Sequence, residues 1–282
     1  MSRDPFAFEK QGRYGVMGHP VGHSLSPRIH AEFARGAHIA MTYEAIEVSP
    51  GGFQQAVSHF QALGGAGLNI TVPFKLEAAH LAHRLNPPAA SAGSVNVLML
   101  GDEIVGDNTD GIGLLCDLRD NLELRLEGRE VLVIGAGGAA RGILGPLSRA
   151  GLVRLVLANR NRSRARDLVN DLAADLAIAV EAVSFDALSG QRFDLVLNAT
   201  SAGLSGVRPE IPDDVIGVGC VAYDLMYGAA AKPFLAWAGA RGARTFDGLG
   251  MLVEQAAESF RLWHGVRPTT REVLAQLRRQ SS

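Results

Sequence analysis

The sequence predicts an α/β protein of two domains, an N-terminal α/β substrate domain and a Rossmann-type dinucleotide-binding domain, with a cleft between them. Three observations predict it. Strand-like and helix-like segments alternate along most of the chain, as layered α/β folds require. The apolar run 131–134 passes directly into Gly135-Ala136-Gly137-Gly138-Ala139-Ala140 and then into a helical stretch. Strand, tight Gly turn and helix is the order that binds a dinucleotide. The length, 282 residues, accommodates roughly two domains.

The elements follow in order. Residues 13–17 read as a strand, running into a Gly/Pro/Ser loop at 19–27 and a helix at about 28–36. Residues 42–48 alternate and are rich in β-formers. Residues 53–63 have helical spacing and stop at Gly64-Gly65. A short apolar strand, 66–72, ends at Pro73, and a helix over 74–85 ends before Pro87-Pro88. Residues 94–100 and 103–105 predict a hairpin across Gly101-Asp102. A helix over 110–121 leads to the Gly-rich strand. The second domain continues with a helix at 141–150 and strands at 155–158, 194–198, 221–225 and 244–246. Helices at about 251–264 and 270–279 close the chain and are expected to return to the first domain. The expected division is therefore 1–111 with 251–282, and 112–250. Gly111, Gly113, Gly248 and Gly250 stand at the two crossings and serve as candidate hinges.

Bulk properties narrow the function. A net charge of −2 without a charge block leaves no electrostatic footprint for nucleic acid. No apolar run approaches the roughly 18 residues of a membrane span. The first residues, 1–11, are polar and mixed, unlike a signal peptide. Cys116 and Cys220 both lie in apolar stretches and read as reduced core thiols of a cytoplasmic protein. His80 and His83 fall on one predicted helix face, but no acidic or Cys cluster completes a metal site, so no metal is expected.

The Gly-rich turn specifies its ligand further. Gly135 allows the turn, Gly137 lets backbone approach a pyrophosphate, and Ala140 is small enough for close helix–strand packing. The following helix start offers free N–H groups to phosphate. The next strand, 155–158, ends in Asn159-Arg160, where an NAD site usually carries an acid. Instead Arg160, Arg162 and Arg164 crowd the turn, which suits a 2′-phosphate. The reading is NADP.

Four loops of the first domain are polar in a way that plain turns are not. Gly22-His23-Ser24-Leu25-Ser26-Pro27 sets two hydroxyls before a helix, a combination suited to a carboxylate; Ser26 also reads as a helix cap. In Asn69-Ile70-Thr71-Val72-Pro73-Phe74-Lys75, Asn69 and Thr71 share one side of a strand. Lys75 stands at a helix start, where a cation is electrostatically misplaced. Ser94-Val95-Asn96 puts an amide in another strand. Gly106-Asp107-Asn108-Thr109-Asp110-Gly111 gathers two acids, an amide and a hydroxyl, with Asp110 either a cap or a partner for Lys75.

Taken together, these runs resemble the shikimate dehydrogenases nearly end to end. The resemblance rests on HSLSP at 23–27, NITVPFK at 69–75, SVN at 94–96, GDNTDG at 106–111, GAGGAARG at 135–142, NATSAG at 198–203, DGLGMLVEQA at 247–256 and LWHG at 262–265. It implies reversible NADPH-dependent reduction of 3-dehydroshikimate to shikimate, a step of aromatic amino-acid biosynthesis, with no metal. It implies Lys75 and Asp110 as the catalytic pair, and Ser24, Ser26, Asn69, Thr71, Asn96, Tyr227 and Gln255 as further substrate contacts. It implies Gly135, Ala136, Gly137, Gly138, Ala139, Asn159, Arg160, Asn161, Arg164, Thr200, Leu225 and Gly248 around NADP. Asn161 stands where the family usually has Thr. The expected assembly is a monomer or homodimer. Two alternatives remain at this level: a quinate/shikimate dehydrogenase with dual substrates, and a non-catalytic NADP- or shikimate-binding regulator on the same fold.

Overall fold

Two six-stranded sheets organise the computed structural model, which describes residues 11–281; residues 1–10 and 282, including most of the stretch read as lacking a signal peptide, lie outside the described residues. The first sheet is built from β1 (Gly12–Gly18), β2 (Met41–Glu47), β3 (Gly65–Ile70), β4 (Arg84–Leu85), β5 (Val97–Leu100) and β6 (Ile104–Asp107), with helices α1 (Ser26–Ala37), α2 (Phe53–Ala62), α3 (Lys75–Leu81) and α4 (Pro87–Ala92) between them. Its order is β2-β1-β3-β5-β6-β4. β1 runs parallel to β2 and β3, whereas the β5–β6 hairpin is antiparallel to β3 and within itself.

Helix α5 (Asp110–Cys116), ending in a π-helical turn at Asp117–Asn121, crosses to the second sheet. There follow β7 (Glu130–Ile134), α6 (Gly138–Ser148), β8 (Arg154–Ala158), α7 (Arg162–Leu172), β9 (Val180–Val183), β10 (Phe193–Asn198), β11 (Ile216–Asp224), α8 (Lys232–Gly239) and β12 (Arg244–Asp247). The order is β12-β11-β10-β7-β8-β9, all parallel. Its strands are buried on both faces. Val131, Val133, Leu155, Leu157, Leu195 and Leu197 face one core, and Leu132, Ile134, Val156, Ala158 and Val196 face the other. A period of two inside a continuous apolar run is how a doubly covered parallel strand reads. Order reverses at β7, so a crevice opens beyond the carboxyl ends of β7 and β10, where such sheets bind ligands.

Helices α9 (Leu249–His264) and α10 (Arg271–Ser281) complete the chain. Val253, Ala256, Ala257 and Phe260 of α9 share a core with Ile29 and Phe33 of α1 and with Val273, Leu274 and Leu277 of α10. Leu114 and Leu118, by contrast, belong to the core of the second sheet.

The structure differs from the sequence expectation at several points. The helix predicted over 74–85 stops at Leu81, and Pro87-Pro88 opens α4 rather than merely ending a helix, since proline is tolerated in a first turn. His83 therefore leaves the helix face of His80, and its Nδ1 accepts from Ile104 N at 3.0 Å. Helix α6 begins at Gly138, three residues ahead of the predicted start. Helices α7 and α8 and edge strand β9 are additional. Thr71 lies one residue beyond β3, and Asn96 one residue ahead of β5. Cys220 is buried, but Cys116 is only partly so; both are free thiols.

Candidate active site

The cleft between the sheets is lined by the loops that end β1, β3 and β6, and by the turn after β7. Lys75 is the first residue of α3, held there by Val95 N donating to its carbonyl at 2.9 Å. Asp110 is the first residue of α5. These two helix starts meet: Lys75 Nζ donates to Asp110 Oδ2 at 2.6 Å, with the side chains 13% and 2% exposed. Asp110 is not a cap. Its backbone N–H is taken by Asn108 Oδ1 at 3.0 Å, and its other carboxylate oxygen accepts Asn96 Nδ2 at 3.0 Å. A charge-assisted pair this buried is held by geometry, and its free lone pairs are satisfied.

Asn96 is the hub of this wall. Its Oδ1 accepts Thr109 N at 2.8 Å, and its Nδ2 also lies 3.1 Å from Thr109 Oγ1 and 3.3 Å from Gln255 Oε1. Gln255 arrives on α9, stacked against Gly113, where an added Cβ would come within 2.8 Å of the Gln255 Cβ. Asn69 donates from Nδ2 to Ser259 Oγ at 2.9 Å and to Asn96 O at 3.3 Å, and its Oδ1 accepts the Tyr43 hydroxyl at 2.7 Å. Thr71 presses its methyl toward Gly18. Tyr43, Thr109 and Ser259 are not among the site residues that the sequence singles out; only the hydroxyl of Thr109, inside the polar loop, carries a signal.

Ser24 and Ser26 sit at the start of α1, but Ser26 is the first helical residue and not its cap. Ser24 Oγ instead accepts Ser26 N at 3.2 Å. The Ser26 hydroxyl is thus not consumed by capping. Tyr227 reaches this loop from the end of β11, with the Leu25 backbone in hydrogen-bonding reach; burial raises its phenol above the ordinary range.

The opposite wall is mostly backbone. Gly135 has φ +105°, and a Cβ there would lie 2.9 Å from Thr200 Cγ2 and 3.1 Å from Ala199 O. Only glycine takes that turn without strain. α6 starts at Gly137-Gly138 with no side chain capping it, so its first N–H groups remain available to an anion. Gly138 faces Lys75, whose Cβ would be 3.6 Å from an added Cβ, which brings the Gly-rich turn against the ion pair. Ala136 and Ala139 flank the same turn and pack on the core of the second sheet. Thr200 Oγ1 donates to Asn198 Oδ1 at 2.8 Å, and Leu225 N donates to Asn198 O at 2.9 Å. Gly248 lies against the Leu225 carbonyl, which leaves no room for a side chain.

At the end of β8, Asn159 Nδ2 donates to Asn161 O at 2.8 Å. Asn161 caps α7: its Oδ1 accepts Ser163 N at 3.0 Å and Ser163 Oγ at 2.7 Å, leaving only its nitrogen for a ligand. Arg160 and Arg164 are exposed, and neither guanidinium is paired with an acid among the described residues. Free glycine-cradled N–H groups beside two unclaimed guanidiniums fit a dinucleotide carrying an extra phosphate.

A further cavity lies behind this wall. A groove of about 1010 Å³ runs behind the Asp110 loop, bounded by α4, α5, α6 and α9, and includes Arg119, Arg141, Arg149 and Arg261. None of the predicted substrate contacts borders it, although their loop neighbours Asn108 and Thr109 do. Among the described residues no group of acids, His and Cys is arranged to hold a metal. No described helix is long and apolar enough to cross a membrane.

The chain is 51% identical over 271 residues to the shikimate dehydrogenase (NADP(+)) of Aromatoleum aromaticum, covering 95% of this chain and 97% of that protein. It belongs to the shikimate dehydrogenase family. Three family models match in order: the shikimate dehydrogenase substrate binding domain over residues 16–98, shikimate / quinate 5-dehydrogenase over 118–210, and the shikimate 5′-dehydrogenase C-terminal domain over 248–278. Among solved structures, an Ael1 enzyme from Pseudomonas putida is 47% identical with a TM-score of 0.86, over 95% of this chain and 98% of that one. The shikimate 5-dehydrogenase of Thermus thermophilus, in complex with NADP(H) and shikimate, is 31% identical with a TM-score of 0.82, over 95% and 99%. The fold shared with these structures is the two-sheet α/β arrangement described above.

Proposed function

We propose that this protein is an NADP-dependent shikimate dehydrogenase, reversibly reducing 3-dehydroshikimate to shikimate in aromatic amino-acid biosynthesis. The observation that carries the reading is the buried Lys75–Asp110 pair, 2.6 Å apart and faced by the Gly-rich turn at Gly138. NADP(H), when held there, would supply or accept the hydride. The chain's own residues do the rest. In the reductive direction Lys75 Nζ donates a proton to the ketone oxygen as negative charge grows there; in the oxidative direction it takes the proton back. Asp110 aims the ammonium, and Asn96 holds the carboxylate by its second oxygen so that it cannot rotate away.

The remaining roles belong to the same proposal. Ser24, Ser26 and Tyr227 form the carboxylate end of the site. Asn69, Thr71, Asn96 and Gln255 provide amides and a hydroxyl for a polyol ring. Gly135, Ala136, Gly137, Gly138 and Ala139 receive the pyrophosphate at the α6 start. Asn159, Arg160, Asn161 and Arg164 surround the 2′-phosphate, and Thr200, Leu225 and Gly248 border the nicotinamide. Residues 1–111 with 251–282 make the substrate unit and 112–250 the cofactor unit. The shared core of α1, α9 and α10, and the burial of Leu114 and Leu118 with β7 and β8, support that division. Two free thiols suit a reducing cytoplasm, and the proposed assembly is a monomer or homodimer.

Initial rates with shikimate and quinate, each with NADP and NAD, test the reading. Shikimate with NADP should be turned over fastest. Equal rates with quinate would move the assignment to a dual-substrate enzyme, and no turnover with any of the four pairs would refute catalysis.

A further inference from the structure

The orientation of the Asn69 amide is dictated from behind. Two of its neighbours can act in only one sense. Asn96 O is a backbone carbonyl and can only accept, and it lies 3.3 Å from Nδ2. Ser259 Oγ gives its proton to Gln255 O at 3.0 Å, so toward Asn69 Nδ2, at 2.9 Å, it too accepts. The nitrogen is therefore on the α9 side, which borders the cleft through Gln255, and Oδ1 is left to meet the Tyr43 hydroxyl at 2.7 Å. The contact to Asn96 O is the longer of the two that Nδ2 makes, and its N–H is the one a substrate oxygen can share. Tyr43 is itself held. Its ring stacks on His30 with centroids 4.2 Å apart and planes 7° apart, and it lies 6.3 Å from the Trp263 ring. His30 is fully buried and its ring serves as a flat packing plate, with the Asn69 side chain in reach but neither ring nitrogen meeting full hydrogen-bond geometry among the described residues; burial lowers its pKa to about 3 and keeps it neutral. The Ser26 hydroxyl also lies in reach of the Tyr43 phenol, tying the α1 start to the end of β3.

We propose that Tyr43 is a positioning residue for substrate binding: while Ser259 and the Asn96 carbonyl hold the Asn69 nitrogen, its phenol occupies Oδ1, so that Asn69 meets substrate as a donor only. The inference rests on the reading of Asn69 as a substrate contact. It specifies the chemistry of that contact: an oxygen with a free lone pair, such as a ring hydroxyl accepting a hydrogen bond. It also assigns a role to a residue that lies on an edge strand rather than in any of the loops that carry the site.

Tyr43→Phe keeps the stacking ring and removes the hydroxyl. KM for shikimate should rise about tenfold, the scale of one misdirected buried hydrogen bond, with kcat within about threefold and KM for NADP within about twofold. An unchanged KM for shikimate, or a parallel rise in both KM values, would overturn the inference. Asn69→Asp keeps an acceptor for Tyr43 but has no N–H to offer. It should raise KM for shikimate on its own, and adding Tyr43→Phe should then change KM by less than about twofold; two independent, multiplying effects would overturn it. A substrate-free readout separates this inference from the functional reading. In the wild-type protein the Asn69 side-chain amide protons should give one sharp, slowly exchanging NMR pair, which broadens or doubles in Tyr43→Phe. If no shikimate is turned over, the functional reading fails, and the NMR comparison still decides the amide: identical spectra in both proteins would overturn the role given to Tyr43.

Discussion

Asn96 commits both ends of its amide to the wall it belongs to, whereas Gly137, across the cleft, offers only backbone. The contrast extends along both walls. The first sheet's side presents side chains that are buried or half-buried, oriented and joined by hydrogen bonds: Lys75, Asp110, Asn96, Asn69 and Gln255. The second sheet's side presents N–H groups exposed by missing side chains, with two exposed arginines beside them. The two walls should fail in opposite ways. The first is broken by deleting atoms, the second by adding them.

The largest effect should come from deletion at the ion pair. Lys75→Ala should lower kcat by roughly 10²–10⁴-fold, the usual contribution of a general acid–base group, while KM for NADP changes little. Asp110→Asn should act in the same direction. Steady-state rates in both directions measure this, and a Lys75→Ala enzyme within a few-fold of wild type would remove Lys75 from the chemistry. The second effect crosses the cleft. A Cβ at Gly142 would lie 2.8 Å from Asp110 Oδ2 and 3.0 Å from Asn108 Oδ1. Gly142→Ala should therefore displace the Asp110 carboxylate from the other wall, costing about tenfold or more in kcat. If kcat holds while only the melting temperature drops, the two walls are less tightly coupled than this contact implies.

A third expectation concerns selectivity. The double change Arg160→Ala and Arg164→Ala should raise KM for NADP by at least about tenfold and leave KM for NAD nearly unchanged, because each charge-assisted bond is worth on the order of 1.5–3 kcal/mol. Added salt should weaken NADP binding in the wild type more than in the variant. An unaltered NADP-to-NAD preference would show these arginines to be ordinary solvated groups.

The smallest effect is on stability. Asp224 is fully buried between Asn198 and the Met226 N–H, and burial raises its carboxyl to about 7. In the unfolded chain it ionises near pH 4. Between those values the folded state holds the proton and the unfolded state does not. Its contribution is thus complete at low pH and is lost as pH climbs toward 7. The melting temperature should carry a downward component of a few degrees across that window, absent in Asp224→Asn. Equal slopes in the two proteins would mean the carboxyl is solvated in its native setting.

The sequence makes the second wall more legible than the first. A Gly-rich turn announces itself locally, because strand, turn and helix are contiguous and the φ of +105° at Gly135 demands glycine. The long apolar strands are equally plain, since both faces are covered. Lys75 and Asp110 are readable as anomalies, a cation and an acid each at a helix start, but their contact spans 35 residues and only the fold brings them together. The Asn69–Ser259 contact spans 190 residues, and nothing near Ser259 marks it. Tyr43 hides for another reason: on an edge strand an aromatic residue reads as ordinary β-former. α4 is obscured by Pro87-Pro88, whose breaking tendency outweighs its fitness for a helix start unless the neighbouring strand is known. α7 escapes apolar periodicity because its outer face is almost wholly charged, and β9 is a short, half-exposed edge.

The packing of Ile29 and Phe33 against Val253, Phe260, Leu274 and Leu277 bears on how the protein is made. On the ribosome, where chains emerge at about 5–20 residues per second, α1 emerges more than two hundred residues before the helices that cover it. The parallel sheet, whose strands and crossover helices run without interruption from β7 to β12, is complete some thirty residues earlier. The second half of the molecule can therefore finish before the first. Until α9 and α10 arrive, the early half carries an uncovered apolar face. Truncation at the C-terminus would strand that face permanently, so chains lacking α10 should aggregate through residues synthesised at the opposite end.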